Sequence, residues 1–468
     1  MAPDDDSLRE RFEAMRAAHA ADPLPGWPER ERRLRALETL VREHRGDIAA
    51  AIHADFGHRP AQETDLLEVF PSLSGIRHAL RHGRRWMRLR RAAAGFWFLP
   101  AHTEIRPRPL GVVGVIVPWN YPLYLAIGPI TDAIAAGNRV LVKTSEWTPA
   151  FSALFARLVE RYFAPAEVAV ATGDADVARA FSALPFDHLL FTGSTAVGRD
   201  VMRAAAANLT PVTLELGGKS PAIIAPDARF EHAVERILVG KLMNAGQTCI
   251  APDYVLLPRA RMQAFIDAAR ATVARLYPDF AANAEYAAIA SDRHLARLAA
   301  LRDEAVAGGA RAHELVATAG DGRRFAPTVL TGVAPGMRIL EEEIFGPLLP
   351  LLPYDELDEA IAHVAAREHP LALYVFAESR ASVERVLRRA QAGGVTVNDT
   401  LLHIAQHHLP FGGVGASGIG AYHGEHGFRR FSHLEPVFRQ ARWNAVGLLN
   451  PPYRGVFRRL LSVLLRRG

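Results

Sequence analysis

Cysteine is nearly absent from this sequence: Cys249 is the only one among 468 residues. A lone thiol cannot close an intrachain disulfide, and it cannot build a multi-cysteine zinc or iron–sulfur site. Long apolar runs are missing as well. The first thirty residues are charged and alanine-rich, with no apolar core of signal-peptide type, and no later stretch reaches membrane-spanning length. Together these absences favour a cytoplasmic protein. Charge of one sign is also lacking, since 55 basic residues face 50 acidic ones. The excess matches Arg454, Arg458, Arg459, Arg466 and Arg467 in a tail without acids, so the neutral body makes no case for nucleic-acid binding. At 49% hydrophobic and 22% charged, the composition is that of a soluble globular protein, and the length implies two or three domains.

What is present reads as α/β. Leu34, Leu37, Leu40, Val41, Ile48 and Ile52 recur at helical spacing, predicting an amphipathic helix or helix pair from Pro28 to about Ala54 that ends near Gly57. The arginine-rich segment from Arg77 to Arg91 reads as a helix with solvated arginines and buried apolar residues. From Gly111 to Asn208, apolar runs alternate with helix signals. Val112–Val117, Arg139–Lys143, Val168–Val170 and His188–Phe191 read as strands; Pro122 suits a first helical turn and Gly137 a helix end. Thr148-Pro149 opens a helix through Tyr162. Such alternation implies a right-handed parallel sheet that binds ligands at the carboxyl ends of its strands. A second α/β series follows Gly217-Gly218, with helices near Phe230–Met243 and Arg261–Leu276.

Strand ends carry the candidate chemistry. Phe191-Thr192-Gly193-Ser194 runs from a strand into a helix, where Gly193, Ser194 and free amide N–H groups suit a pyrophosphate. The ordinary glycine-rich dinucleotide fingerprint is missing, because the first strand leads into Pro118-Trp119-Asn120-Tyr121-Pro122. Lys143 and Glu146 at the next strand end suit ribose hydroxyls or a surface ion pair. Asn120 suits a turn or an oxyanion donor. Glu215, flanked by leucines before Gly217-Gly218, is odd for a solvated charge and suits a desolvated general base. Cys249 in Asn-Ala-Gly-Gln-Thr-Cys reads as a small buried hydrophobe or as a nucleophile, with Gly246 permitting close backbone approach. Glu341-Glu342-Glu343-Ile344-Phe345-Gly346-Pro347 adds an acidic cluster running into an aromatic.

The order and spacing of these motifs, closing with Pro410-Phe411-Gly412-Gly413, resemble the NAD(P)-dependent aldehyde dehydrogenase superfamily from roughly residue 28 to 440. The run Asn244–Tyr254 and the ending Tyr422-His423-Gly424 through Phe431-Ser432-His433 look like its class 3 branch. Leu402-His403-Ile404-Ala405-Gln406 resembles bacterial coniferyl aldehyde dehydrogenases in particular. The resemblance implies Cys249 as nucleophile, Glu215 as deacylation base and Asn120 as oxyanion donor beside the Cys249 backbone N–H. It implies Lys143 and Glu146 at the adenosine ribose, Gly193 and Ser194 at the pyrophosphate, Glu343 at the nicotinamide ribose and Phe345 beside the nicotinamide. The cofactor implied is NAD, with NADP possible. Thr144 departs from the family's usual proline, removing a fixed φ while keeping both ribose ligands.

The implied fold is two Rossmann-like parallel-sheet domains plus a small oligomerisation extension. Residues 1–90 and 110–217 form the nucleotide-binding domain, 218–403 the catalytic domain, 91–109 and 404–445 the oligomerisation and return segments, and 446–468 a basic amphipathic tail. A homodimer is implied. Peripheral membrane contact through the tail is the less favoured reading, with packing on the body preferred. The implied reaction converts an aldehyde, coniferyl or a related aromatic one, to its acid through a cysteine thioester; a medium- or long-chain aliphatic aldehyde is the alternative. A cofactor-independent cysteine acyl hydrolase would have no use for Lys143, the Phe-Thr-Gly-Ser turn or Glu343. No metal is expected, and His403, His407 and His408 read as solvated loop histidines.

Overall fold

A computed structural model describes residues 5–316, 322–453 and 455–467; Arg454, at the head of the basic tail, lies outside them. The chain opens with three helices, Asp5–Ala21, Trp27–Glu43 and Arg45–Phe56. The last two are the expected pair, and Leu34, Leu37, Leu40, Val41, Ile48 and Ile52 are all fully buried. Gly57 ends the pair in a left-handed conformation. Helix Phe70–Trp86 follows, its arginines exposed and Ile76, Ala79 and Trp86 buried.

Strands β1 (Arg90–Ala92) and β2 (His102–Pro109) leave the body, and β3 (Val112–Ile116), β4 (Arg139–Lys143), β5 (Val168–Ala171), β6 (His188–Thr192) and β7 (Val212–Glu215) build the first parallel sheet. Strands β8 (Pro221–Ile224), β9 (Tyr254–Pro258), β10 (Arg311–Glu314), β11 (Thr328–Thr331), β12 (Leu348–Tyr354), β13 (Ala372–Phe376) and β14 (Gly394–Val397) form a seven-stranded sheet in the order β10-β11-β12-β9-β8-β13-β14. All its pairings are parallel except β10 with β11. The chain then returns. Strand β15 (Gly418–Ile419) adds antiparallel to β7, giving the order β15-β7-β6-β3-β4-β5, and β16 (Ser432–Arg439) pairs with β2 in a three-stranded sheet.

Chain order reverses at β3, which is flanked by β4 and β6, so the ligand crevice of the first sheet lies at the carboxyl ends of β3 and β6. The helix expected from Pro122 starts two residues later, at Tyr124. Glu68 explains the shift: its Oε2 accepts the N–H groups of Leu123 and Tyr124 at 2.8 and 3.2 Å, supplying the cap from a distant helix. Tyr124–Ala136 is buried on nearly every face, between the sheet and helices Trp27–Glu43, Phe70–Trp86 and Gly424–Arg430, which accounts for its uniform apolarity.

The tail forms helix Gly455–Arg467. Phe457, Leu460 and Leu464 are half-buried and Val456, Leu461, Val463 and Leu465 exposed; the helix packs on the preceding turn Val446–Leu449, and the Phe457 ring meets Tyr453 at 4.4 Å. No described helix is long and apolar enough to cross a membrane. The three loop histidines are not all solvated. His403 Nδ1 lies 2.9 Å from Thr396 Oγ1 and its ring stacks on Phe411, while His407 Nε2 lies 2.9 Å from Ser74 Oγ. The loop folds back onto the body, a long-range contact that local composition does not encode.

Candidate active site

Cys249 follows a strained turn. After helix Phe230–Leu242, Asn244, Ala245 and Gly246 take φ values of 52°, 51° and 77°, three left-handed residues in succession. For Asn244 and Ala245 this costs roughly 1–3 kcal/mol each, so the surroundings must hold them. Gln247 does much of that: its Nε2 donates to the carbonyls of Asn244 and Ala288 at 2.9 and 3.0 Å, and its Oε1 accepts the Ala290 N–H at 2.8 Å. Glu63 Oε1 accepts the Asn244 N–H at 3.0 Å. A Cβ on Gly246 would lie 2.5 Å from the Gly346 carbonyl oxygen, so only glycine fits there. The Tyr121 hydroxyl meets Thr248 Oγ1 at 2.6 Å, and Tyr374 donates to the Ile250 carbonyl.

The thiol that emerges is half-buried, with the backbone N–H groups of Cys249 and Ile250 directed at sulfur. Burial pushes its pKa up to about 12, reinforced by the charges of Glu343 and Glu215. Tyr124, Tyr374 and Tyr422, all buried, lie close enough to feel the thiolate in turn.

Asn120 is buried one turn beyond β3. Its Nδ2 donates to the Gln247 carbonyl at 3.1 Å, leaving the second amide hydrogen for another acceptor. Its backbone carbonyl accepts from Asn244 Nδ2 and from Arg59 Nη1, each at 3.1 Å. Arg59 and Glu68 form a fully buried ion pair at 2.8 Å, and the Arg59 guanidinium lies 4.9 Å from the Tyr121 ring centroid. One buried pair therefore seats both the Asn120 backbone and the following helix.

Glu215 ends β7, in register with Gly418 of β15. Both carboxylate oxygens are buried without a hydrogen-bond partner among the described residues. Desolvation raises its pKa well above the ordinary carboxylate value, opposed by Arg430. Glu343 is raised to about 8, chiefly by burial and then by Asp253, while the Gly218 N–H donates to its carboxylate. A Cβ on Gly217 would fall 1.9 Å from Glu343 Oε2, so glycine leaves space for that carboxylate. The strand-like segment bearing Glu343 is clamped from behind. Lys219 pairs with Asp253 and donates to the carbonyls of Ile339 and Glu342 at 2.8 Å, Asp253 Oδ1 accepts the Ile344 N–H at 2.9 Å, and Arg297 reaches the Glu343 carbonyl at 3.2 Å. Phe345 follows with φ 51°, its ring 5.4 Å from Trp119, which stacks on His294 at 4.8 Å.

A cleft of about 670 Å³ opens between the two large sheets, bordered by Thr195, Gly217, Gly218, Glu343, Ala416 and Ser417. Ser194 caps helix Thr195–Ala206 by accepting the Val197 N–H at 3.4 Å, and the Gly193 N–H donates to the Glu215 carbonyl at 3.0 Å. Lys143 Nζ donates to the carbonyls of Thr144 and Gly173 at 2.7 and 2.8 Å, and its third hydrogen stays free. Glu146 is exposed nearby and is not its ion-pair partner. A dinucleotide fits this set: a cation and a carboxylate at one strand end, a helix N-terminus between, and a second carboxylate at the inner end.

Cys249, Glu215 and Glu343 are thus brought together, Asn120 joins them through Gln247, and Lys143 and Glu146 stand apart at the end of β4. Sequence reasoning missed Arg59, Glu63, Glu68, Asp253 and Arg297. Gln247 and Lys219 sit inside motifs already singled out, whereas Arg59 and Glu68 carry no local signal.

Two parallel α/β units with a dinucleotide-sized cleft between them define a nucleotide-dependent oxidoreductase. The chain belongs to the aldehyde dehydrogenase family, whose model matches residues 5–437, and is an NAD(P)-dependent enzyme acting on an aldehyde. It is 49% identical over 460 residues to a probable coniferyl aldehyde dehydrogenase of Pseudomonas aeruginosa, covering 98% of this chain and 96% of that one. The coniferyl aldehyde dehydrogenase of Pseudomonas sp. strain HR199 is 44% identical over 466 residues, at 98% and 96% coverage. Staphylococcus aureus AldH, solved in a substrate-bound state, superposes with a TM-score of 0.91 at 35% identity, covering 98% of this chain and 99% of that one.

Proposed function

We propose that this protein oxidises coniferyl aldehyde or a closely related aromatic aldehyde to its acid, with Cys249 as nucleophile, Asn120 as oxyanion donor and Glu215 as deacylation base. The observation that carries the reading is a single thiol faced by an unpartnered buried carboxylate. Similarity to coniferyl aldehyde dehydrogenases over 98% of this chain supports a planar aryl substrate.

Cys249 adds to the aldehyde carbon, and the new oxyanion takes the spare Asn120 N–H and the Cys249 backbone N–H. Bound NAD(P)+ supplies the hydride acceptor. The protein is left as a Cys249 thioester. Glu215, ionised, takes a proton from water, the hydroxide adds to the thioester carbon, and the acid leaves as the thiol is restored. Glu343 and Phe345 hold the inner end of the cofactor; Lys143 and Glu146 hold the adenosine ribose, with Gly193 and Ser194 at the pyrophosphate. The exposed Glu146 carboxylate repels a 2′-phosphate and favours NAD over NADP.

We assign residues 1–90 and 110–217 to nucleotide binding, 218–403 to catalysis, and the three-stranded sheet to a homodimer contact. Its outer strands have open edges in this chain, and Phe98, Leu99, Leu434 and Phe438 are exposed along it. The tail stays with the protein, so removing residues 454–468 should leave liposome binding unchanged, and residence is cytoplasmic. The decisive assay follows reduced nicotinamide with coniferyl, benzaldehyde-type and aliphatic aldehydes and each cofactor. Coniferyl aldehyde with NAD should give the highest kcat/KM and Cys249→Ala none; a preference for long aliphatic aldehydes, or activity in Cys249→Ala, overturns the respective assignment.

A further inference from the structure

Helix Phe70–Trp86 carries His78 and His82 at positions i and i+4, which puts both imidazoles on one helical face. The loop before Phe411 brings His408 onto that face. One ring nitrogen from each of the three lies within 4.8 Å of the others. Ring centroids of His78 and His82, and of His78 and His408, are each 4.6 Å apart, and those of His82 and His408 are 5.9 Å apart. None of the three rings makes a hydrogen bond among the described residues. A space of about 200 Å³ adjoins them, bordered by Trp86, His407 and Glu425.

We propose that His78, His82 and His408 bind a divalent transition-metal ion of borderline softness, Zn²⁺ in the first instance. Three neutral nitrogens without a thiolate or a free carboxylate suit Zn²⁺ and its neighbours rather than Ca²⁺ or Mg²⁺. Tetrahedral ligation at Zn–N distances near 2.0–2.1 Å needs nitrogens roughly 3.3 Å apart, which small side-chain rotations deliver from the present spread. The fourth position opens onto the adjoining space and takes water. Glu425 is engaged with Arg429 at 2.6 Å, and Arg85 lines the same space, so nearby charge weakens the site and binding falls in the micromolar range. The sequence concealed this site because its ligands lie more than three hundred residues apart, and His403, His407 and His408 alone lack a rigid element.

The ion would fasten a loop to a helix. His408 is four residues beyond Ile404, whose carbonyl accepts from the Tyr124 hydroxyl at 3.5 Å, and the buried Tyr124 lies close enough to feel the charge of a Cys249 thiolate. Metal binding therefore stiffens one wall of the thiol's surroundings without touching reacting atoms.

The test uses the full chain carrying Cys249→Ala, which removes the thiol as a rival ligand. Zn²⁺ binding is followed by calorimetry and Co²⁺ binding by its visible d–d spectrum. The expected result is one ion per chain with the intense band of tetrahedral Co²⁺. His82→Ala and His408→Ala should each weaken binding about a hundredfold, since each removes one of three metal bonds, while His433→Ala on exposed β16 should not. His82 is half-buried and His408 exposed, so both variants should fold, with circular dichroism as the check. Affinity within twofold of the parent in either His82→Ala or His408→Ala, or no binding at millimolar Zn²⁺, overturns the assignment.

Discussion

Replacing Glu215 by glutamine separates the two halves of the proposed reaction. The change keeps shape, removes the charge and breaks no hydrogen bond, because neither carboxylate oxygen has a partner among the described residues. Acylation needs Cys249 and Asn120, so a pre-steady-state burst of about one reduced cofactor per chain should survive. Deacylation loses its base, and kcat should fall roughly a thousandfold, within the 10²–10⁴ usual for general-base catalysis. Desolvation holds the Glu215 pKa well above 4.5, so deacylation should quicken as pH rises towards that raised value and level off once it is passed. The variant should lack this dependence. Stability follows the same shift. A carboxyl whose folded pKa is raised contributes stability that is complete below the unfolded value of 4.5 and is lost as pH rises through the folded value. Glu215→Gln should therefore match wild type at pH 4 and unfold at higher temperature at pH 8. Stopped-flow absorbance and thermal melts measure both effects. Loss of burst and turnover together would refute the role, as would an unaltered pH slope. Glu343 is the internal rival: with a pKa of about 8 it is roughly nine-tenths protonated at pH 7, and a Glu343→Gln variant that alone lost deacylation would move the base there.

Arg59→Met should destabilise the protein by about 3–5 kcal/mol, because Glu68 is left buried without its partner; urea unfolding measures the loss, and a change under 1 kcal/mol would contradict the pair's structural weight. Lys219→Met should raise the cofactor KM more than it lowers kcat, since it unclamps the segment bearing Glu343 while leaving Cys249 in place; an unchanged KM would show that Asp253 and Arg297 suffice. Iodoacetamide alkylation of the cofactor-free protein should keep accelerating up to about pH 11, in keeping with a Cys249 pKa near 12, and a plateau near pH 8 would mean that sulfur is better solvated than its surroundings imply.

Strands β3, β4, β5 and β6 were legible because each is a short, largely apolar run between turn residues, and helix Pro149–Tyr162 was legible because Thr148-Pro149 marks its start. The proposed reacting residues could be nominated because Cys249, Glu215 and Asn120 sit in short motifs whose order matters. What supports them was not. Arg59 and Glu68 meet across a helix junction and become conspicuous only when burial is known. Strand β15 is two residues long in a glycine-rich run, too short for alternation to register. Ala245 gives no hint of a left-handed backbone, since the conformation is imposed by Gln247, Glu63 and Gly346.

The pairing of Gly418 with Glu215 also bears on synthesis at the ribosome. Cys249, Glu215 and Asn120 have all been translated by residue 249, yet the strand holding Glu215 gains its outer neighbour only some 170 residues later. A nascent or prematurely terminated chain would carry all three residues and still leave the Glu215 strand with a bare edge and the carboxylate open to water, where its pKa would relax toward 4.5. The enclosure that raises the Glu215 pKa is in this sense acquired at the end of translation.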